Sequence, residues 1–179
     1  MRRNRHLLGF IILLLAGCSH SKKPDPFAWK NISPPGAGFT VSMPGEPKLK
    51  LVPRPGPAGE LVEMRYVYKG PLVLYQVSYV DYPTNVQTSA TVDQLLDSAC
   101  KGMGQQGRVE DIQKIMIGPY PGRSASLESS DITFRVRICL AGRRLYIAMA
   151  GAENFAKSAG GIDKFLNSFQ FVGEAPSAR

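Results

Sequence analysis

Histidine is almost missing from this chain. Of 179 residues only His6 and His20 are histidines, and both precede the stretch that reads as folded. A Ser-His-Asp triad, a Cys-His pair and every histidine-bearing zinc site are thereby excluded from that stretch. The commonest acid–base group near neutral pH goes with them. Cysteine is scarce as well, with only Cys18, Cys100 and Cys139. The N-terminal apolar run, residues 7–15, is too short to cross a hydrocarbon core of about 30 Å, which takes roughly 20 helical residues. There is no internal repeat, and the scattered carboxylates include no Asp-x-Asp-x-Asp-Gly loop for calcium.

What stands at the N-terminus is an address. Arg2, Arg3 and Arg5 precede the apolar run, which ends in Leu15-Ala16-Gly17-Cys18. A positive start, a short apolar core and a small-residue processing site make a secretory signal. The last four residues resemble the lipobox of bacterial lipoproteins, in which the cysteine is acylated and the signal is removed before it. The expected layout is a signal peptide over residues 1–17 and a lipidated Cys18. A tether runs through residues 18–38, one domain occupies residues 39–172, and a loose polar tail covers residues 173–179. Removing residues 1–17 lowers the formal charge from +8 to +5, too little for a nucleic-acid arm. Ser19, rather than Asp, after the cysteine resembles the pattern that permits transport to the outer membrane, where a cell has two.

About 140 residues suffice for one core and argue against two. Gly and Pro, 18 and 14 residues, imply many turns. The tether carries Lys22, Lys23 and a Pro34-Pro35-Gly36 stretch, but Phe27, Ala28, Trp29 and Ile32 interrupt its polarity, so part of it is expected to dock on the domain or at the membrane interface.

Period-two alternation of apolar residues marks strands at Phe39, Val41, Met43 and at Val62, Met64, Tyr66, Tyr68. Residues 72–80 return as the antiparallel partner of the latter. Residues 53–59, rich in Pro and Gly, are expected to be irregular. Thr91-Val92-Asp93-Gln94 matches a capping box. It opens a helix with Leu95, Leu96, Ala99, Cys100 and Met103 on one face, which the glycines at 102, 104 and 107 end. Further strands follow at residues 112–117, 123–128, 132–140 and 144–150, then a short helix at 162–167 and an apolar end at Phe169 and Phe171. Hairpins rather than crossovers give an α+β class, an antiparallel sheet with flanking helices.

Phe39-Thr40-Val41-Ser42-Met43-Pro44-Gly45-Glu46-Pro47, Arg144-Leu145-Tyr146 and Phe165-Leu166-Asn167-Ser168-Phe169 resemble the PsbP-like superfamily, including small bacterial envelope lipoproteins of the DcrB type. The resemblance spans roughly residues 38–172. It implies an α/β/α sandwich and an accessory or assembly role, and it carries over no functional residue.

Two motif matches fail on context. Gly102-Met103-Gly104-Gln105-Gln106-Gly107 fits a dinucleotide fingerprint but ends a helix instead of opening one. Ser98-Ala99-Cys100-Lys101 fits S-x-x-K without its companion motifs. Asp93 and Asp97 fall on the helix's polar face and read as solvated. The candidate contact residues are basic: Arg135 and Arg137 on one strand face, Arg143 and Arg144 at the adjoining turn, and Arg123 near them. Arginines so clustered suit phosphate, carboxylate or an acidic protein surface; a solvated strand face is the plainer reading. Cys100 and Cys139 form a candidate disulfide in an oxidising compartment, worth at most about 4 kcal/mol, or else two separate buried thiols. Tyr66, Tyr68, Tyr75, Tyr79 and Tyr146 read as sheet packing. The expected function is that of a non-enzymatic, lipid-anchored envelope protein that assists or docks another envelope protein, without cofactor, metal or nucleic acid. The alternative is a carrier or sensor holding a small apolar or anionic ligand between sheet and helix.

Overall fold

The computed structural model describes residues 28–56, 59–83 and 90–173. The signal, Cys18, most of the tether, the centre of the loop before the first helix and the end of the tail lie outside the described residues. In chain order the elements are β1 (Trp29–Ile32), β2 (Phe39–Pro44), β3 (Lys48–Gly56), β4 (Gly59–Lys69), β5 (Val73–Asp81), α1 (Val92–Met103), β6 (Arg108–Ile117), β7 (Tyr120–Ser129), β8 (Ile132–Ala141), β9 (Arg144–Ala152), α2 (Phe155–Asn167) and β10 (Gln170–Phe171). Seven strands form one sheet in the order β3-β4-β5-β9-β8-β7-β6, antiparallel throughout. A smaller sheet, β1-β2-β10, is antiparallel as well. The α+β class is therefore as expected.

The pleat sorts the large sheet's side chains into two cores. On one face Tyr75, Val77, Tyr79, Cys139, Tyr146 and Ala148 meet Phe39, Val41 and Met43 of β2 and Ile162, Phe165 and Leu166 of α2. On the other face Val136, Ile138, Leu140, Leu127 and Leu145 meet Leu96, Cys100 and Met103 of α1. The layers are thus α2 with the small sheet, the large sheet, and α1.

The hairpins are tight because their turns have suitable residues. Ile117 pairs with Tyr120, Ser129 with Ile132 and Ala141 with Arg144, leaving two-residue loops. The first loop residue has positive φ in each, Gly118 at 56°, Ser130 at 52° and Gly142 at 61°. The second does not, which is the type II′ pattern that matches strand twist.

α1 starts as its capping box requires: Gln94 N donates to Thr91 Oγ1 at 3.3 Å and Thr91 N to Gln94 Oε1 at 2.8 Å. Gly104 caps its C-terminus, so the glycine run sits where the helix presents carbonyls rather than amides.

Three boundaries differ from expectation. The domain begins ten residues earlier than position 39, because Trp29–Ile32 pairs with β2 and buries Ile32 and Ala37. The Pro-rich segment is not irregular: β3 runs through Pro53 and Pro55, which an edge strand tolerates since its outer amides need no partner. α2 starts at Phe155, two turns before 162. Asn154 caps it by accepting from Lys157 N at 3.3 Å. Gly160 and Gly161 lower the propensity of those turns, but a Cβ at Gly161 would lie 2.6 Å from the Tyr75 hydroxyl, so close helix–sheet approach requires that glycine.

Candidate functional site

Strand alternation places Arg135, Arg137 and Cys139 on the face that receives α2, not on an open face. Arg135 forms an ion pair with Asp163 of α2. Arg137 Nη1 donates to Leu166 O at 2.9 Å and Nη2 to Asn167 Oδ1 at 2.7 Å. A cation at the last turn of a helix complements its dipole and fills carbonyls that have no helical partner. Burial pulls the Arg137 guanidinium below its usual range; neighbouring Asp163 opposes that and Arg135 adds to it.

Arg143 and Arg144 lie elsewhere. Six residues of strand, about 20 Å, separate Arg135 from the β8–β9 turn. Arg143 Nε donates to Tyr82 O at 3.0 Å. Arg144 makes a bidentate pair with Asp81, at 2.6 and 2.7 Å. Its remaining nitrogen donates to Gly36 O at 2.7 Å and Ala37 O at 3.1 Å, and its guanidinium lies 4.2 Å from the Tyr79 ring centroid. The hydrogen bond to Asp81 holds its pKa above the usual arginine value against the opposing effect of burial. With Tyr146 Oη, which donates to Ala37 O at 3.0 Å, Arg144 fastens the loop between β1 and β2. The two arginine pairs therefore act as two separate internal clamps.

Arg123 belongs to neither. It stands opposite Ile138, on the α1 face, and is 2% exposed. Nε donates to Asp97 Oδ1 and Nη2 to Asp93 Oδ1, both at 2.7 Å, and Nη1 to Gly122 O at 3.0 Å. Asp93, expected to be solvated, also accepts from Lys114 at 2.9 Å. The two cations hold its carboxyl below the usual range. Farther along the same face Glu63 is 2% exposed and accepts from Arg54 at 2.6 Å and from Arg65 at 2.8 and 3.1 Å. Burial pushes its carboxyl up, but the guanidiniums outweigh this and leave it below the usual range. An arginine on a strand's apolar face and acids one helical turn apart were the available signals for the Arg123 clamp.

A groove of about 320 Å³ remains beside α2, lined by Gln113, Ser124, Ser126, Arg135, Arg137 and Asp163 among others. Asp111, at a bulge in β6 with φ of 52°, also borders it. Two carboxylates balance its two guanidiniums, so it suits a neutral or zwitterionic polar group better than an anion.

The candidate disulfide is not made. Both cysteines are free and buried, and the sheet separates them, Cys100 under α1 and Cys139 under α2. Burial pushes the Cys139 thiol up to about 12; it raises Cys100 too, with Arg123 pulling the other way. The tyrosines pack as expected: Tyr146 lies edge-on to Phe39 at 6.1 Å and to Phe171 at 5.3 Å. Between sheet and α2 the space bounded by Arg137, Cys139, Tyr146, Leu166 and Phe169 is about 10 Å³, room for one water. Ser98 and Lys101 are exposed on α1. No group of three or more potential metal-ligating side chains comes together among the described residues, and no helix among them is long and apolar enough to cross a membrane.

Among solved structures the chain is similar to the solution structure of cyanobacterial PsbP (CyanoP) from Synechocystis sp. PCC 6803. Identity is 9% and the TM-score 0.48, over 88% of this chain and 99% of that one. A likeness of that strength bears on no residue's role. No family model matches the chain, and no curated protein matches it.

Proposed function

We propose that this chain is a non-enzymatic protein of the bacterial cell envelope, anchored through lipid on Cys18, that assists or docks another envelope protein. The observation that carries this is Leu15-Ala16-Gly17-Cys18, placed after three arginines and a short apolar run. In a cell with two membranes, Ser19 favours the periplasmic face of the outer membrane. The histidine-free domain supports a non-catalytic role, and its expected anion-binding arginines are occupied by internal partners. The carrier alternative has less support, because the space between sheet and α2 has room for no more than one water and the open groove beside it is charge-balanced.

Fractionation of cells expressing wild type and Cys18→Ser tests the anchor. The wild type should be membrane-bound with a mass raised by the acyl groups, and the variant should leave the membrane fraction or accumulate as precursor. Membrane retention of a processed Cys18→Ser chain would overturn the lipid claim. Native mass spectrometry of the gently extracted protein tests the role. A protein partner at fixed stoichiometry is the expected result, whereas a bound small molecule without one would bring the carrier forward.

A further inference from the structure

The β3–β4 hairpin carries apolar surface that the fold does not use. Leu49, Leu51 and Val62 are 50%, 62% and 51% exposed. Leu49 stands opposite Tyr66, Leu51 opposite Met64 and Pro53 opposite Val62, so all six share one face of the pleat. Tyr66 and Met64 pack against the aromatic core; the strip thus leads outward from that core to the free edge of the sheet. Lys48 and Lys50 alternate with the leucines, are exposed, and have no ion pair among the described residues.

The occupant can be narrowed. Strand addition at the β3 edge is hindered, because Pro53 and Pro55 offer no amide and the exposed Lys48 and Lys50 charge that edge. The beginning of the domain adjoins the strip: Lys30, Asn31, Pro34 and Glu46 line a groove of about 350 Å³ together with Leu49 and Tyr66, and Lys30 pairs with Glu46 at 3.5 Å. Ten residues lie between Cys18 and Trp29, eleven steps and at most about 40 Å of extended chain, on the order of the domain's own diameter. A lipid on Cys18 therefore holds this side of the domain within reach of the bilayer.

We propose that the free β3 edge of the sheet rests edge-on against the lipid surface, with Leu49, Leu51 and Val62 at the headgroup–acyl boundary on one face of the pleat and Lys48 and Lys50, on the other face, reaching anionic headgroups. Apolar residues interleaved with unpaired cations suit that boundary. This orientation rests on the acylation of Cys18 proposed above, and it would fix the α1 side and the β6 edge of the sheet as the surfaces left for a protein partner.

The test uses the full mature chain in vesicles of phosphatidylethanolamine and phosphatidylglycerol. A nitroxide is attached at Leu51→Cys, at Val62→Cys and, as a control on α1, at Lys101→Cys; Cys100 and Cys139 are buried and stay unlabelled. Labels at 51 and 62 should be relaxed more by oxygen, which concentrates in lipid, than by an aqueous nickel chelate, and the label at 101 should show the reverse order. Lys48→Glu with Lys50→Glu should lose the difference. If all three labels report water while mass spectrometry shows acylated Cys18, the orientation is overturned and the anchor stands. An unacylated chain whose labels at 51 and 62 still read as lipid keeps the surface and loses the anchor; one whose labels report water overturns both. Labels screened from both reagents in native envelopes, but wet in vesicles, would assign the strip to a protein partner instead and overturn the proposal.

Discussion

The two faces of the seven-stranded sheet are closed by different chemistry. Under α2 and the small sheet lie Phe39, Tyr75, Tyr146, Phe165 and Phe169, in edge-on and stacked contacts between 5.4 and 6.1 Å. Under α1 the core is aliphatic, and the largest fully buried side chain of the described residues, Arg123, stands within it. Aromatic rings bury large areas and favour tilted contacts whatever the ionic conditions. An arginine tied to two half-exposed carboxylates holds a helix through charge, and its contribution follows pH and salt. One sheet thus carries an aromatic closure, with the ion pairs of Arg135 and Arg144 beside it, and a closure centred on a buried arginine, the ionic face. The ionic closure continues toward the β3 edge, where Arg54 and Arg65 cover Glu63.

The largest effect should come from the aromatic face. Phe165 is fully buried and meets Tyr75 at 5.4 Å, so Phe165→Ala should cost about 4 kcal/mol in a denaturant melt. Leu96→Ala, the corresponding truncation under α1, should cost about 3 kcal/mol. Equal losses, or a larger one at Leu96, would show that α1 closes its face as tightly as α2 does and would break the contrast.

Acid should find the ionic face first. The Glu63 carboxyl titrates below its unfolded value. Its contribution is therefore fully present above the unfolded pKa and is lost as pH falls through the folded one. Glu63→Gln should lower stability by about 2 kcal/mol at neutral pH and flatten the acid limb of the stability curve. A variant with an unchanged acid limb would place the loss of stability elsewhere. Asp93 adds to that limb with the same sign.

These contrasts show what the sequence makes legible. Alternation at Ile132, Phe134, Val136, Ile138 and Leu140 locates a strand and its buried face, because the period-two pattern is a direct image of the pleat. The Thr91 capping box locates α1 to the residue, since both bonds are local. The Trp29–Ile32 strand is less legible: four residues after a polar stretch show too little periodicity, and only their apolar interruptions point to docking. For the arginines the sequence shows the face but not the surroundings. Alternation says that Arg135 and Arg137 oppose Val136, but not that α2 arrives to cover them, nor that Arg123 meets two aspartates some 30 positions earlier. Partners so distant in sequence are set by the packing of layers, which no local pattern records.

The smallest effect sharpens the comparison from inside the ionic face. Asp93 accepts from both Arg123 and Lys114 at similar lengths, 2.7 and 2.9 Å, yet the two cations differ in setting. Lys114 is 73% exposed at its side chain and Arg123 is 2%. Water and salt already screen the lysine, and holding its long chain in one rotamer costs entropy that offsets the attraction. Removing the arginine discards four hydrogen bonds, to Asp97, Asp93 and Gly122, made by a guanidinium that is itself buried. Arg123→Ala should therefore lower stability by about 2 kcal/mol, after allowance for carboxylates that regain water. Lys114→Ala should leave the melt unchanged within error and lose its small effect entirely in high salt. If Lys114→Ala matched Arg123→Ala, bond length alone would govern these pairs, and the burial of Arg123 would have no energetic meaning.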